Sequence, residues 1–161
     1  MASWVQAIGS IGAIVGAFFV VSYQGREQTR LRQREALQES IDTGDVVVAI
    51  CIDAVRAIRD SAESFRRHTP GDSFVSETDR LDEAQQSLRI LLSRRVPPEM
   101  MHSLLRIQRT VTYAHRALRQ RSGTTKAISQ RTIDSADGRH RIAAKELNQL
   151  ARMRNALKAR I

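Results

Sequence analysis

The chain has 161 residues, room for one core and an appendage, and carries 26 Lys and Arg against 17 Asp and Glu, a formal net charge of +9. Its single cysteine excludes an intrachain disulfide and a cysteine-based zinc site. Only 4 % of residues are aromatic, too few ring faces for a reader of single-stranded bases, and the wealth of Ala, Leu, Arg, Gln and Glu marks the fold class as all-α.

Residues 4–23, WVQAIGSIGAIVGAFFVVSY, hold no charge. Twenty helical residues cover about 30 Å, the thickness of a bilayer's hydrocarbon core, and a helix satisfies its own backbone there. Trp4 and Tyr23 stand at the two ends as interface anchors, with the juxtamembrane cations Arg26, Arg30, Arg32 and Arg34 beyond them. The reading is an N-terminal transmembrane helix over 1–24, its N-terminus outside, and the rest of the chain on the cytoplasmic side of a bacterial inner membrane. Positive charge follows the apolar run rather than preceding it, which argues against a cleaved leader. Gly9, Gly12 and Gly16 make a small-residue face suited to association of two such helices.

The opening WVQAIGSIGAIVGAFFVVSYQGREQTR resembles the N-terminal anchor of short, uncharacterised single-pass membrane proteins of proteobacteria and their prophages. The likeness is confined to about 35 residues, an anchor and a Gln- and Arg-rich sequel. It implies membrane attachment and a phage or mobile-element setting, and it implies no activity.

Residues 25–43 are charged nearly all round, the pattern of a stalk helix with no core of its own. Asp42, Thr43, Gly44 and Asp45 read as a break and restart, so the cytoplasmic domain is expected over 44–161. Val47, Ile50, Cys51, Ala54, Ile58, Ala62 and Phe65 then recur at steps of three and four, one apolar stripe of a helix ending before Thr69-Pro70-Gly71. Cys51 lies on that stripe and reads as a small core residue.

Ser76 with Asp79 resembles a capping box opening a second helix, whose buried face is Leu81, Ala84, Leu88, Leu91 and Leu92 and whose last turn carries Arg94 and Arg95. Pro98 suits the first position of a third helix, along which Met100, Leu104, Ile107, Val111, Ala114 and Leu118 repeat without a miss until Gly123. Thr124 or Thr125 is expected to cap a last helix carrying Ile128, Thr132, Ala136, Ala143, Leu147, Leu150, Met153 and Leu157, bent or broken at Asp137-Gly138. Short connections make sequential helices antiparallel, hence an up-down antiparallel bundle of about four helices.

Charge is unevenly spread. Residues 25–93 hold ten cations and thirteen carboxylates, whereas 94–161 hold sixteen cations and four carboxylates, so an anionic partner belongs on the C-terminal half. Arg106, Arg109, Arg116, Arg119, Arg139, Arg141, Lys145, Arg152 and Arg154 form the candidate surface, for anionic lipid or an acidic protein. The alternative for the same cations is docking against the acidic first half.

Enzyme signatures are absent from the sequence: His68, His102, His115 and His140 show no paired metal spacing, and neither a G-x-S-x-G nor a phosphate-loop pattern occurs. No catalytic residue, cofactor or metal is expected. The expected function is a membrane-anchored, non-enzymatic, self-associating helical interaction or scaffold protein. Two other classes fit the same residues, namely a phage-related lysis or anti-phage effector that oligomerises and permeabilises the inner membrane, and a membrane tether for nucleic acid.

Overall fold

A computed structural model describes the side chains of residues 27–160 and contains four helices: α1 (Ser3–Arg67), α2 (Asp79–Leu92), α3 (Pro98–Arg119) and α4 (Gln130–Lys158). No strand occurs among the described residues, so the all-α class holds. The apolar segment 4–23, its anchors Trp4 and Tyr23, its glycines Gly9, Gly12 and Gly16, and Arg26 lie outside the described residues. Among the described residues no helix is long and apolar enough to cross a membrane.

The chain divides into two compact units, Met1–Glu39 and Ser40–Ile161. In the first, residues 27–36 are all exposed and include Arg30, Arg32 and Arg34, consistent with a helix that has no core face. The second is the bundle.

Within the bundle, side-chain pairs fix every neighbour and its sense. Arg80 bonds Asp60 between α1 and α2, and Gln85 Nε2 donates to Thr112 Oγ1 at 3.0 Å between α2 and α3. Arg106 meets Glu146 at 2.8 Å and Arg121 donates to Thr132 at 3.1 Å between α3 and α4. The ring closes through Arg66 with Asp137 and through Asp45 with Arg154 and Lys158, at 3.0 and 2.9 Å, between α1 and α4. His115 also meets Asp82 at 3.0 Å, and one groove is lined by Ile50, Ala57, Arg80 and Ser87, so rising numbers on one helix meet falling numbers on its neighbour and the bundle is up-down with α1 beside α2 and α4, and α3 diagonal to α1.

The expected stripes are the core, except that Ile50 of α1 and Leu92 of α2 are only half-buried. Val47, Cys51, Ala54, Ile58, Ala62 and Phe65 are buried from α1, Leu81, Ala84, Leu88 and Leu91 from α2, and the full Met100 to Leu118 set from α3. On α4 the heptad-spaced Ala136, Ala143, Leu150 and Leu157 are buried together with Glu146, whereas Thr132, Leu147 and Met153, and Ile128 just before the helix, are half-buried.

Four local expectations are corrected. α1 runs on through Asp42, Thr43, Gly44 and Asp45 without a break. A Cβ on Gly44 would lie 3.5 Å from Arg154 Cγ and 3.7 Å from Met100 Sδ, ordinary van der Waals distances, so side chains of α3 and α4 cover this turn of the helix. The compact unit accordingly begins at Ser40, not at 44. Ser76 caps nothing: Thr78 is the N-cap of α2 and makes no side-chain cap bond, while Arg94 and Arg95 fall beyond the helix and Arg89 occupies its last turn. Pro98 does open α3.

The third and fourth corrections concern α4. It starts at Gln130, after Ser129, because the preceding loop is engaged elsewhere. Gly71 and Phe74 donate their N–H groups to Thr125 and Thr124 carbonyls at 3.0 and 2.8 Å, and Gly123 donates to Phe74 O at 2.9 Å. Residues 123–125 therefore clasp the α1–α2 loop instead of capping a helix, and Phe74 stacks on Phe65 with centroids 5.4 Å apart. Nor does α4 break at Asp137-Gly138, for Asp137 is held by Arg66 across the interface.

Two outcomes follow from these backbones. Gly138 is helical with open space where a Cβ would go, so Gly138→Ala should raise unfolding stability by about 1 kcal/mol. Gly123, at φ +78°, should lose about 1 kcal/mol on the same change, both read by urea denaturation.

Cys51 is wholly buried, and burial pushes its thiol up from 9.0 to about 12. Maleimide should leave it unlabelled in the folded chain at pH 8 and label it at once in guanidinium. The unfolded chain sheds this proton above about pH 9 while the folded one keeps it to about 12, so alkali should erode stability across that window.

Candidate interaction face

α3 turns by about 100° per residue, so the side opposite its Met100 to Leu118 stripe presents Arg109, Tyr113 and Arg116 to solvent. Tyr113 is 57 % exposed. On α4 the side opposite Ala143 and Leu150 presents Arg141, Lys145 and Arg152, with Ile142, 44 % exposed, near the α3 seam. The Arg106–Glu146 and Arg121–Thr132 pairs set the register and bring Tyr113 and Ile142 within a turn of one level. The outcome is one face with an aromatic and an aliphatic side chain at its centre and cations around them.

The nine sequence-predicted cations separate by their surroundings. Arg109, Arg116, Arg141, Lys145 and Arg152 share this face, are exposed, and make no ion pair among the described residues. Arg119 is likewise exposed but turned toward the α2 side of α3. Arg106 and Arg154 serve the fold, and Arg139 stands apart from both sets. Arg106 neutralises Glu146, which is only 2 % exposed, and Arg154 joins Lys158 on Asp45, whose carboxyl those two side chains hold below its ordinary value. Arg139 is half-buried, its Nε has no partner, and desolvation lowers its affinity for the proton. The expectation that cations dock on the acidic first half thus holds for Arg154 and Lys158 and not for the exposed set.

Of the juxtamembrane cations, Arg30 and Arg34 line a shallow depression with Gln33 and Leu37, and Arg32 is exposed. A cleft of about 540 Å³ opens beside the α1–α2 loop, but the charges on its walls are largely engaged, Asp60 with Arg80 and Glu63 with Arg67. Among the described residues no group of His, Cys, Asp and Glu could hold a metal ion. Comparison with protein-family models, curated proteins and solved structures finds no match.

Sequence reasoning missed Tyr113, Ile142 and Glu146. The first two break the polar side of their helices, a signal visible once the stripe is drawn. Glu146 sits in the heptad between Ala143 and Leu150, where a carboxylate is counted as a surface residue unless its partner across α3 is known.

The Arg106–Glu146 pair separates two kinds of change. Arg106→Ala leaves a buried carboxylate without its cation and should cost about 3 kcal/mol. Glu146→Leu removes the buried charge, frees Arg106 into water from its half-exposed position, and should be neutral to within about 1 kcal/mol or stabilising. Urea midpoints of the two variants check the asymmetry.

Proposed function

We propose that the protein is a membrane-anchored, non-enzymatic helical scaffold, held in the bacterial inner membrane by residues 4–23 with its bundle in the cytoplasm, whose α3–α4 face docks an acidic protein surface. The observation that carries this reading is the pairing of exposed Tyr113 and Ile142 inside a ring of cations that the fold itself leaves uncompensated. An apolar centre with an aromatic anchor and a charged rim is the anatomy of a protein-binding patch. The cations add long-range attraction and orient an acidic partner before contact. The uncharged length of 4–23, its aromatic ends and the arginines after it support the anchor.

A photo-crosslinking amino acid placed at Tyr113 of the full-length chain, expressed in bacteria, tests both parts. Discrete protein adducts are expected in carbonate-washed membranes, and they should vanish when Arg109→Glu and Arg116→Glu are added. The same photoprobe at Val75, 78 % exposed on the far loop, should give none. Lipid adducts alone, or no adducts, would refute the docking face, and a chain removed by carbonate would refute the anchor.

A further inference from the structure

The bundle carries a second face whose chemistry is the inverse of the first. Between α1 and α2 runs a shallow groove of about 190 Å³, floored by Ile50, Ala57 and Ala84 and rimmed by Asp53 and Glu83. Ile90, 52 % exposed, lies on the outer side of α2 beyond the groove. Glu83 and the nearby Asp79 are exposed and make no ion pair among the described residues, whereas the one cation in the groove, Arg80, is held by Asp60. We infer that the acidic surface docked by the α3–α4 face is this α1–α2 groove on a second copy of the chain. The inference rests on the interaction face described above and names its partner.

Three features favour a second copy. First, the charges complement: Arg109 and Arg116 flank Tyr113, while Glu83 and Asp79 stand unpaired beside the groove and Asp53, which meets Arg56 at 3.6 Å, lines its other side. Second, the shapes complement, since Tyr113 projects from its face and the groove recedes from the other. Third, the heights match. The Gln85–Thr112 hydrogen bond places Tyr113 level with Ala84 in the groove floor, so neighbouring copies meet without sliding along their helices.

The two faces lie on opposite sides of the bundle, α1 being diagonal to α3 and α2 to α4, so no chain can join its own. Like-to-like contact would set Arg109 and Arg116 against their own counterparts. The contact is therefore head-to-tail, and each copy keeps one face free for the next, giving rows or closed rings rather than dimers.

The test uses full-length protein in native membranes and a short bis-maleimide. Ser87→Cys lies at the groove and Gln149→Cys on the opposite face, on diagonal helices with the core between them, so only an intermolecular link can form. The double variant should give a ladder of dimers, trimers and larger species. Either cysteine alone should give none, and the two single variants co-expressed should stop at dimers. Arg109→Glu with Arg116→Glu, or Glu83→Lys with Asp53→Lys, should reduce the ladder at least tenfold, and combining both pairs of reversals in one chain should restore it.

Dimers from Ser87→Cys alone would overturn the head-to-tail arrangement. No ladder, with Tyr113 photo-adducts to other proteins persisting, would overturn the second copy while sparing the interaction face. No ladder and no adducts would remove both.

Discussion

The apolar stripe of α3 is the constraint on which the bundle's other helices depend. Met100, Leu104, Ile107, Val111, Ala114 and Leu118 are all essentially out of water, and α3 packs against α2 on one flank and α4 on the other. Burying each large side chain contributes about 1.5–3 kcal/mol, so this single face outweighs any ion pair in the bundle. Because the stripe fills one side of α3 completely, the cations of the same helix have nowhere to go but its flanks and its back.

That division gives the cations two fates. On the flanks they find carboxylates: Arg106 reaches buried Glu146, and on α4 Arg154 and Lys158 share Asp45 of α1. These pairs fix register, and the partly buried one is costly to break by removing Arg106 alone, which strands the buried Glu146 carboxylate. On the backs of α3 and α4 the remaining cations meet only water and one another. Repulsion among them is tolerated because water screens it, and it becomes an asset when an acidic surface arrives. The α1–α2 side mirrors this arrangement with Asp79 and Glu83, so the bundle is polarised across its width.

Much of the architecture was legible in the periodicity. The stripes of α1, α2 and α3 and the proline start of α3 needed only the spacing of apolar residues and the chemistry of Pro98. What was not legible depended on distant partners. Gly44 reads as a break because propensity is local, yet the helix passes through it where the side chains of Arg154 and Met100 approach. Thr124 and Thr125 read as caps because they are threonines, yet their carbonyls accept from Phe74 and Gly71 fifty residues away. The candidate surface was read as nine cations at helical spacing, and the pattern could not separate those facing Glu146 or Asp45 from those facing solvent. Tyr113 was missed because a lone aromatic on a polar side stands out only after the buried stripe of α3 is drawn.

The clasp between residues 71–74 and 123–125 makes the two ends of the bundle mechanically unlike. At that end three backbone hydrogen bonds and the Phe65–Phe74 stack tie two loops that are far apart in sequence. At the other end the α2–α3 turn around Val96 and Pro97 has no such tie, and α1 is secured to α4 through the side chains on Asp45. Three backbone bonds and a ring stack resist local opening more than exposed side-chain pairs do, so the clasp is the firmer of the two ends. The fold has a hinge side and a hasp side, an asymmetry set by which carbonyls two threonines offer.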